Sequence, residues 1–119
     1  MMLGKKIGKV WGHEEVLIDT DKYSAKLLVI EEGFVSSIHY HKYKDETFYV
    51  LEGKLELKLD DRTVIMAQGD IYRLTPNMHH SFKATTTQCK ILEISYCPVP
   101  EDNYRLTASK KIEHNIKEA

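Results

Sequence analysis

Cysteine is scarce in this chain of 119 residues, with only Cys89 and Cys97 to make at most one bridge. That excludes a disulfide-stapled scaffold. Long apolar runs are missing too: none approaches the roughly 18 residues that a membrane-spanning helix needs, so no membrane partner is expected. Behind Lys5 and Lys6 there is no apolar segment of the kind a secretory signal requires, and the two cysteines read as reduced thiols of a cytoplasmic protein. Charge of one sign is lacking, since 17 basic residues face 18 acidic ones for a net charge of −1. Such a balance offers no bulk field to nucleic acid or anionic lipid, and there is no basic patch or DNA-reading helix. What remains is 42% hydrophobic and 29% charged, a composition that excludes collagen-like and disordered chains. The length fits one domain, 1–119, that hides roughly two-thirds of its unfolded surface in a single core.

Helical periodicity is almost absent between Lys9 and Leu106. The dominant pattern has period two, in short segments punctuated by glycine, proline and Asp60-Asp61, which is the pattern of an all-β barrel or sandwich. Lys54-Leu55-Glu56-Leu57-Lys58-Leu59 places leucines on one face and charges on the other. After the Asp60-Asp61 turn, Thr63-Val64-Ile65-Met66 returns as the second arm of a hairpin. Further strands are predicted near 14–19, 23–31, 35–41, 46–52, 70–74, 79–84 and 89–96. About nine short strands in 90 residues suit a double-sheet jelly roll. Residues 109–119 are polar and read as a loose tail or a short surface helix. Gly53 and Gly69 fall where strands turn and demand positive φ, and the lone Trp11 reads as a packed anchor.

Two of the six histidines, His39 and His41, are separated by one residue, so on a strand their rings point to the same face. Glu46 opens the next strand across a polar turn and can be presented beside them. Later, Thr75-Pro76-Asn77 delivers the pair His79-His80 at the start of another strand. Three imidazoles and one carboxylate form a borderline-ligand set suited to one divalent first-row ion: Mn, Fe, Ni, Co or Zn. A lone His-x-His pair also occurs on solvated strand faces, so the spacing of the whole set carries the argument.

That spacing, Gly33-x5-His39-x-His41-x4-Glu46-x6-Gly53, matches the first motif of the cupin superfamily at every position. The second motif resembles Gly69-x5-Thr75-Pro76-Asn77-x2-His80, with Thr75 where the family usually has proline and Asn77 where it often has glycine. The resemblance runs from Lys9 to Leu106 and implies a double-stranded β-helix, the jelly-roll cupin barrel. It also implies a metal held by His39, His41, Glu46 and His80. By alternation, His79 should point to the opposite side.

Finer features resemble particular cupins. Lys9-Val10-Trp11-Gly12 looks like the opening of the type II mannose-6-phosphate isomerase domain. Ile91-Leu92-Glu93-Ile94-Ser95, with Pro100-Glu101-Asp102-Asn103-Tyr104-Arg105, is similar to its closing strand and tail. Lys44, between His41 and Glu46, is similar in placement to a lysine of cupin-type D-lyxose isomerases. The resemblance implies a small-molecule substrate, a sugar or sugar phosphate, and an aldose–ketose isomerase in which the metal polarises a carbonyl. Glu93 would then be the catalytic base or a ligand for a sugar hydroxyl, and Lys44 would hold a developing oxyanion or a phosphate. Lys44 reads equally as a solvated turn lysine. Glu93 shares a face with Ile91 and Ser95 that suits a cavity wall or an outer surface. The arginine-tyrosine-glycine-arginine ending of the isomerases is absent, and His39 stands where they tend to carry glutamine. Only Arg62, Arg73 and Arg105 are available to clamp a phosphate. Two other functions stay open: an Fe(II)-dependent dioxygenase and a non-catalytic sugar-binding module. Edge strands near 14–19 and 100–106 predict a two-fold homodimer that covers them.

Overall fold

A computed structural model of the chain describes residues 4–85 and 87–112. The described residues form thirteen strands and no helix. In chain order these are β1 (Lys5–Lys9), β2 (Gly12–Asp19), β3 (Tyr23–Ile30), β4 (Phe34–Val35), β5 (His39–Tyr40), β6 (Asp45–Glu52) and β7 (Lys54–Leu59). They continue as β8 (Thr63–Ala67), β9 (Ile71–Leu74), β10 (His80–Ala84), β11 (Cys89–Tyr96), β12 (Tyr104–Arg105) and β13 (Lys110–Lys111). One sheet has the order β1-β2-β3-β11-β6-β9. The other runs β12-β5-β10-β4-β13, with the β7–β8 hairpin attached to β10. All pairings are antiparallel, as expected of a jelly-roll cupin barrel.

The period-two pattern becomes the core directly. Leu55, Leu57 and Leu59 of β7 are buried, as are Phe48 and Val50 of β6 and Leu28 and Ile30 of β3. Each fully buried leucine stabilises the fold by about 1.5–3 kcal/mol relative to an exposed one. Trp11 is buried edge-on against Phe82, with ring centroids 5.1 Å apart, so it is the anchor its isolation predicted. Gly53 takes φ of 83°, and a Cβ there would lie 2.4 Å from the Gln88 carbonyl oxygen, so the tight β6–β7 turn admits no side chain.

The structure departs from the sequence expectations at the short strands. The segment 35–41 is not one strand but two, β4 and β5. Between them, the Ser37 amide donates to Ser109 Oγ and the Ile38 amide to Thr107 Oγ1. Side chains from far along the chain thus replace the ladder. Of the expected edge 14–19, residues 14–16 are covered, because β1 pairs along β2 from Lys5↔Val16 to Lys9↔Gly12. With one large apolar residue, Ile7, β1 carries no alternation to read. β12 does end the second sheet. Lys110 and Lys111, read as part of a tail, pair with Val35 and Phe34 of β4. Residues 113–119, the rest of that expected tail or helix, lie outside the described residues.

Candidate metal centre

β5 and β10 are paired so that His39 and His80 stand directly opposite each other. Two residues past His39, His41 ends up on the same face, as strand alternation predicts. The ligand-capable ring atoms of His39, His41 and His80 lie within 4.8 Å of one another. Glu46, at the start of β6, is buried beside them, with its Oε2 2.9 Å from His41 Nε2 and 3.9 Å from His80 Nε2. Sequence spacing therefore named four side chains that the two sheets do bring together.

The second nitrogen of each ring explains the arrangement. Nδ1 of His39 donates to the Ser37 carbonyl at 2.8 Å, that of His41 to the Asp102 carbonyl at 2.6 Å, and that of His80 to the Met78 carbonyl at 2.9 Å. A carbonyl only accepts, so in the neutral rings these bonds put the proton on Nδ1 and leave the Nε2 lone pair toward the shared centre. His41 Nε2, His80 Nε2 and Glu46 Oε2 are buried without a hydrogen-bond partner. Lone pairs and a carboxylate converging in a buried site repel unless a cation stands among them. The donor set of three imidazoles and one carboxylate fits a first-row divalent ion.

The electrostatics follow from this crowding. Burial, aided by the neighbouring His80, pushes His39 down to about 3, and burial also lowers His80. Burial works against a charged His41 too, but the adjacent Glu46 outweighs it and raises that pKa. Glu46 is itself held well below the usual carboxylate range, because His41, Lys44 and His80 overcome its burial.

Lys44 is not a solvated turn lysine. Its Nζ reaches inward to 3.4 Å from Glu93 Oε2 and 3.9 Å from Glu46 Oε2, linking the two carboxylates. The face of β11 carrying Ile91, Glu93 and Ser95 points inward, and Ser95 Oγ donates to Glu93 Oε2 at 3.3 Å. Burial pushes Glu93 up to about 7 against the pull of Lys44. His39, His41, Lys44, Glu46 and Glu93 all line one open cavity of about 860 Å³. His79 points away, its Nδ1 3.1 Å from Asp60 Oδ1 and its ring edge-on to Tyr40, as alternation predicted.

One residue that builds the site has no role in the sequence reading. The Asp102 carboxylate accepts the Lys42 amide at 2.7 Å and the Tyr43 and Lys44 amides at 2.9 Å each. Its signal was weak: an acidic residue in a polar segment after Pro100. Asn77 adopts φ of 69°, tolerable for asparagine where the family often has glycine, and its amide donates to the His41 carbonyl at 2.6 Å.

Comparison with known proteins adds four similarities. A family model described as cupin domain matches residues 26–95. Quercetin 2,3-dioxygenase of Bacillus subtilis (strain 168) is 32% identical over 56 residues, which are 47% of this chain and 17% of that protein. The chain thus spans less than a fifth of that curated relative's length. Among solved structures, a cupin-2 domain containing protein from Shewanella frigidimarina matches with a TM-score of 0.63 and 27% identity, over 74% of this chain and 82% of the other. Oxalate decarboxylase from Bacillus subtilis matches with a TM-score of 0.75 and 15% identity, over 87% of this chain and 30% of the other. That last likeness is one of fold alone.

Proposed function

The chain belongs to the cupin domain family, and on that premise we propose that it is a metal-dependent isomerase or epimerase of a sugar or sugar phosphate. One divalent first-row ion (Mn, Fe, Ni, Co or Zn) would be held by His39, His41, Glu46 and His80. When bound, it supplies a Lewis acid for a carbonyl oxygen and the neighbouring hydroxyl.

The observation that carries this reading is the buried row Glu93–Lys44–Glu46. It places a proton acceptor and an ammonium in one cavity with the ligand carboxylate. Aldose–ketose exchange needs those two groups. The Glu93 carboxylate takes the proton from the carbon next to the carbonyl, and the same carboxyl returns it to the former carbonyl carbon. Lys44 donates a proton to the oxygen that becomes a hydroxyl and recovers one from the oxygen that becomes the new carbonyl. No atom is gained or lost over the cycle. A carboxyl poised near 7 suits such a two-way transfer at neutral pH.

A second reading, an Fe(II)-dependent dioxygenase, is favoured by the similarity to quercetin 2,3-dioxygenase. The two are separated by loading the protein with manganese, zinc or iron and offering an aldose–ketose panel, with dissolved oxygen recorded throughout. The isomerase reading expects turnover without oxygen uptake under a redox-inert ion, lost in Glu93→Gln while metal content stays. Activity under iron alone, with oxygen consumed, transfers the site to the dioxygenase reading. A wild type that takes up none of the ions overturns both.

A further inference from the structure

Of the charged side chains that line the cavity, four are positive and five negative, and six of them stand in one row of alternating sign. Lys9 on β1 comes within 4.0 Å of Glu14 on β2, and the other Glu14 oxygen lies 3.5 Å from Lys26 Nζ on β3. Lys26 is directly opposite Glu93 on β11. From Glu93 the row continues through Lys44 to Glu46 at the metal centre, over 3.4 Å and 3.9 Å. The six side chains are 2–29% exposed. Most of them occupy strand positions facing the interior, which are ordinarily apolar, and charge held there is costly unless it is paired.

The alternation decides what can enter. Lys26 lies between Glu14 and Glu93, and Lys44 between Glu93 and Glu46. Of the other charges, Asp102 is taken by three backbone amides, while Asp19 and Arg105 are exposed and opposite in sign. With Glu93 ionised, as the proposed proton transfer needs, the row carries no surplus of either sign. An incoming anion therefore finds no ammonium in the row without a neighbouring carboxylate. A phosphate dianion brings only acceptors, and the Glu14 carboxylate has no proton to give it. A hydroxyl fits the same place from both sides: it donates to the carboxylate and accepts from the adjacent ammonium. Several hydroxyls on one molecule can do so along the row without separating an ion pair.

We propose that Lys9, Glu14 and Lys26 form a second subsite of this cavity that binds the hydroxyls of a neutral sugar, and that Glu14 turns away the phosphate ester of the same sugar. The subsite rests on reading the cavity as the place where a sugar or sugar phosphate binds, and it narrows that substrate to the free sugar. Hydroxyls remote from the reacting carbons lie against Lys9, Glu14 and Lys26, while those carbons face Glu93 and the histidines.

The test is calorimetric titration of the metal-loaded protein with D-mannose, D-glucose and D-galactose, each as the free sugar and as its 6-phosphate. At least one free sugar should bind, about tenfold more tightly than its own 6-phosphate, the scale of one charge-assisted hydrogen bond. Glu14→Gln, with metal content unchanged, should bring that ratio toward one. Asp19→Asn removes the same charge from the cavity outside the row and should leave the ratio in place. Equal binding of the two forms, or no binding of any free sugar, overturns the proposal. Tighter binding of a phosphate ester also overturns it, since the phosphate then sits on the metal. So does a ratio that Glu14→Gln leaves unchanged, or one that both variants shift alike, which would report the charge of the whole cavity. Titration needs no turnover, so the two readings fail separately. A protein that prefers a free sugar yet converts none keeps the subsite and loses the isomerase. One that isomerises sugar phosphates does the reverse.

Discussion

Asp102 and His41, 61 positions apart, are joined at two levels: the Asp102 carbonyl takes the Nδ1 proton of His41, and its carboxylate gathers the next three amides of the chain. One residue thereby sets the tautomer of a candidate ligand and the path of the loop that aims Lys44 inward. Its carboxyl is held below the usual range because those amides outweigh its burial. Asp102→Ala keeps the carbonyl but leaves three amides without an acceptor. We expect metal affinity to fall about tenfold, the lower end of the range for partners behind a ligand. Competition with a chromogenic chelator measures it, and unchanged affinity would show that the loop holds itself.

The four-residue centre makes a sharper expectation. His41→Ala and Glu46→Ala should each lose bound metal in elemental analysis of purified protein. His13→Ala, on β2 and outside the cavity lining, should keep it. The same metal content in all three variants would remove the centre from these side chains.

Cys89 is fully buried, and burial pushes its thiol up to about 11 from 9.0. Thiols react as thiolates, so in the native protein at pH 8 this residue should resist maleimide until the chain is unfolded. The sign for stability follows from the raised value. The neutral thiol's contribution is complete below about 9 and is lost as pH rises through about 11, because the unfolded chain ionises first. Cys89→Ala should flatten that part of a urea-midpoint-against-pH plot. Rapid labelling of folded Cys89 would contradict the burial.

Assembly is open to direct measurement. Across the outward face of the larger sheet, Leu27, Leu92, Tyr49 and Ile71 stand in one register row, and Ile71 and Ile94 are more than half exposed. A two-fold dimer that covers this apolar surface is the expected state. Light scattering at micromolar concentration should give twice the mass of the chain, and Ile71→Lys with Ile94→Glu should halve it. A monomeric wild type would discard the dimer.

Much of this protein was legible from residue spacing alone. Alternation at Leu55, Leu57 and Leu59 predicted buried side chains because a strand has only two faces, and the β7–β8 hairpin followed from Asp60-Asp61. His39, His41, Glu46 and His80 could be named because the motif's intervals reflect strand and turn lengths that the fold repeats. The separation of His79 from His80 needed only the same alternation.

What tertiary structure decided was everything carried by pairs distant in the chain. β1 and the break between β4 and β5 depend on backbone and hydroxyl partners, which leave no periodic trace. Whether Lys44 was solvated or buried turned on Glu93, 49 residues away. Whether Glu93 lined a cavity turned on which face of β11 meets the opposite sheet. The sequence determined by itself the strand pattern, which local periodicity encodes, and the candidate ligand set, which its motif intervals name through their resemblance to the cupin family. Only the packed sheets decided the tautomer-fixing carbonyls, the Glu93–Lys44–Glu46 row and the Lys9–Glu14–Lys26 cluster, because charge and hydrogen bonding act through space and not along the chain.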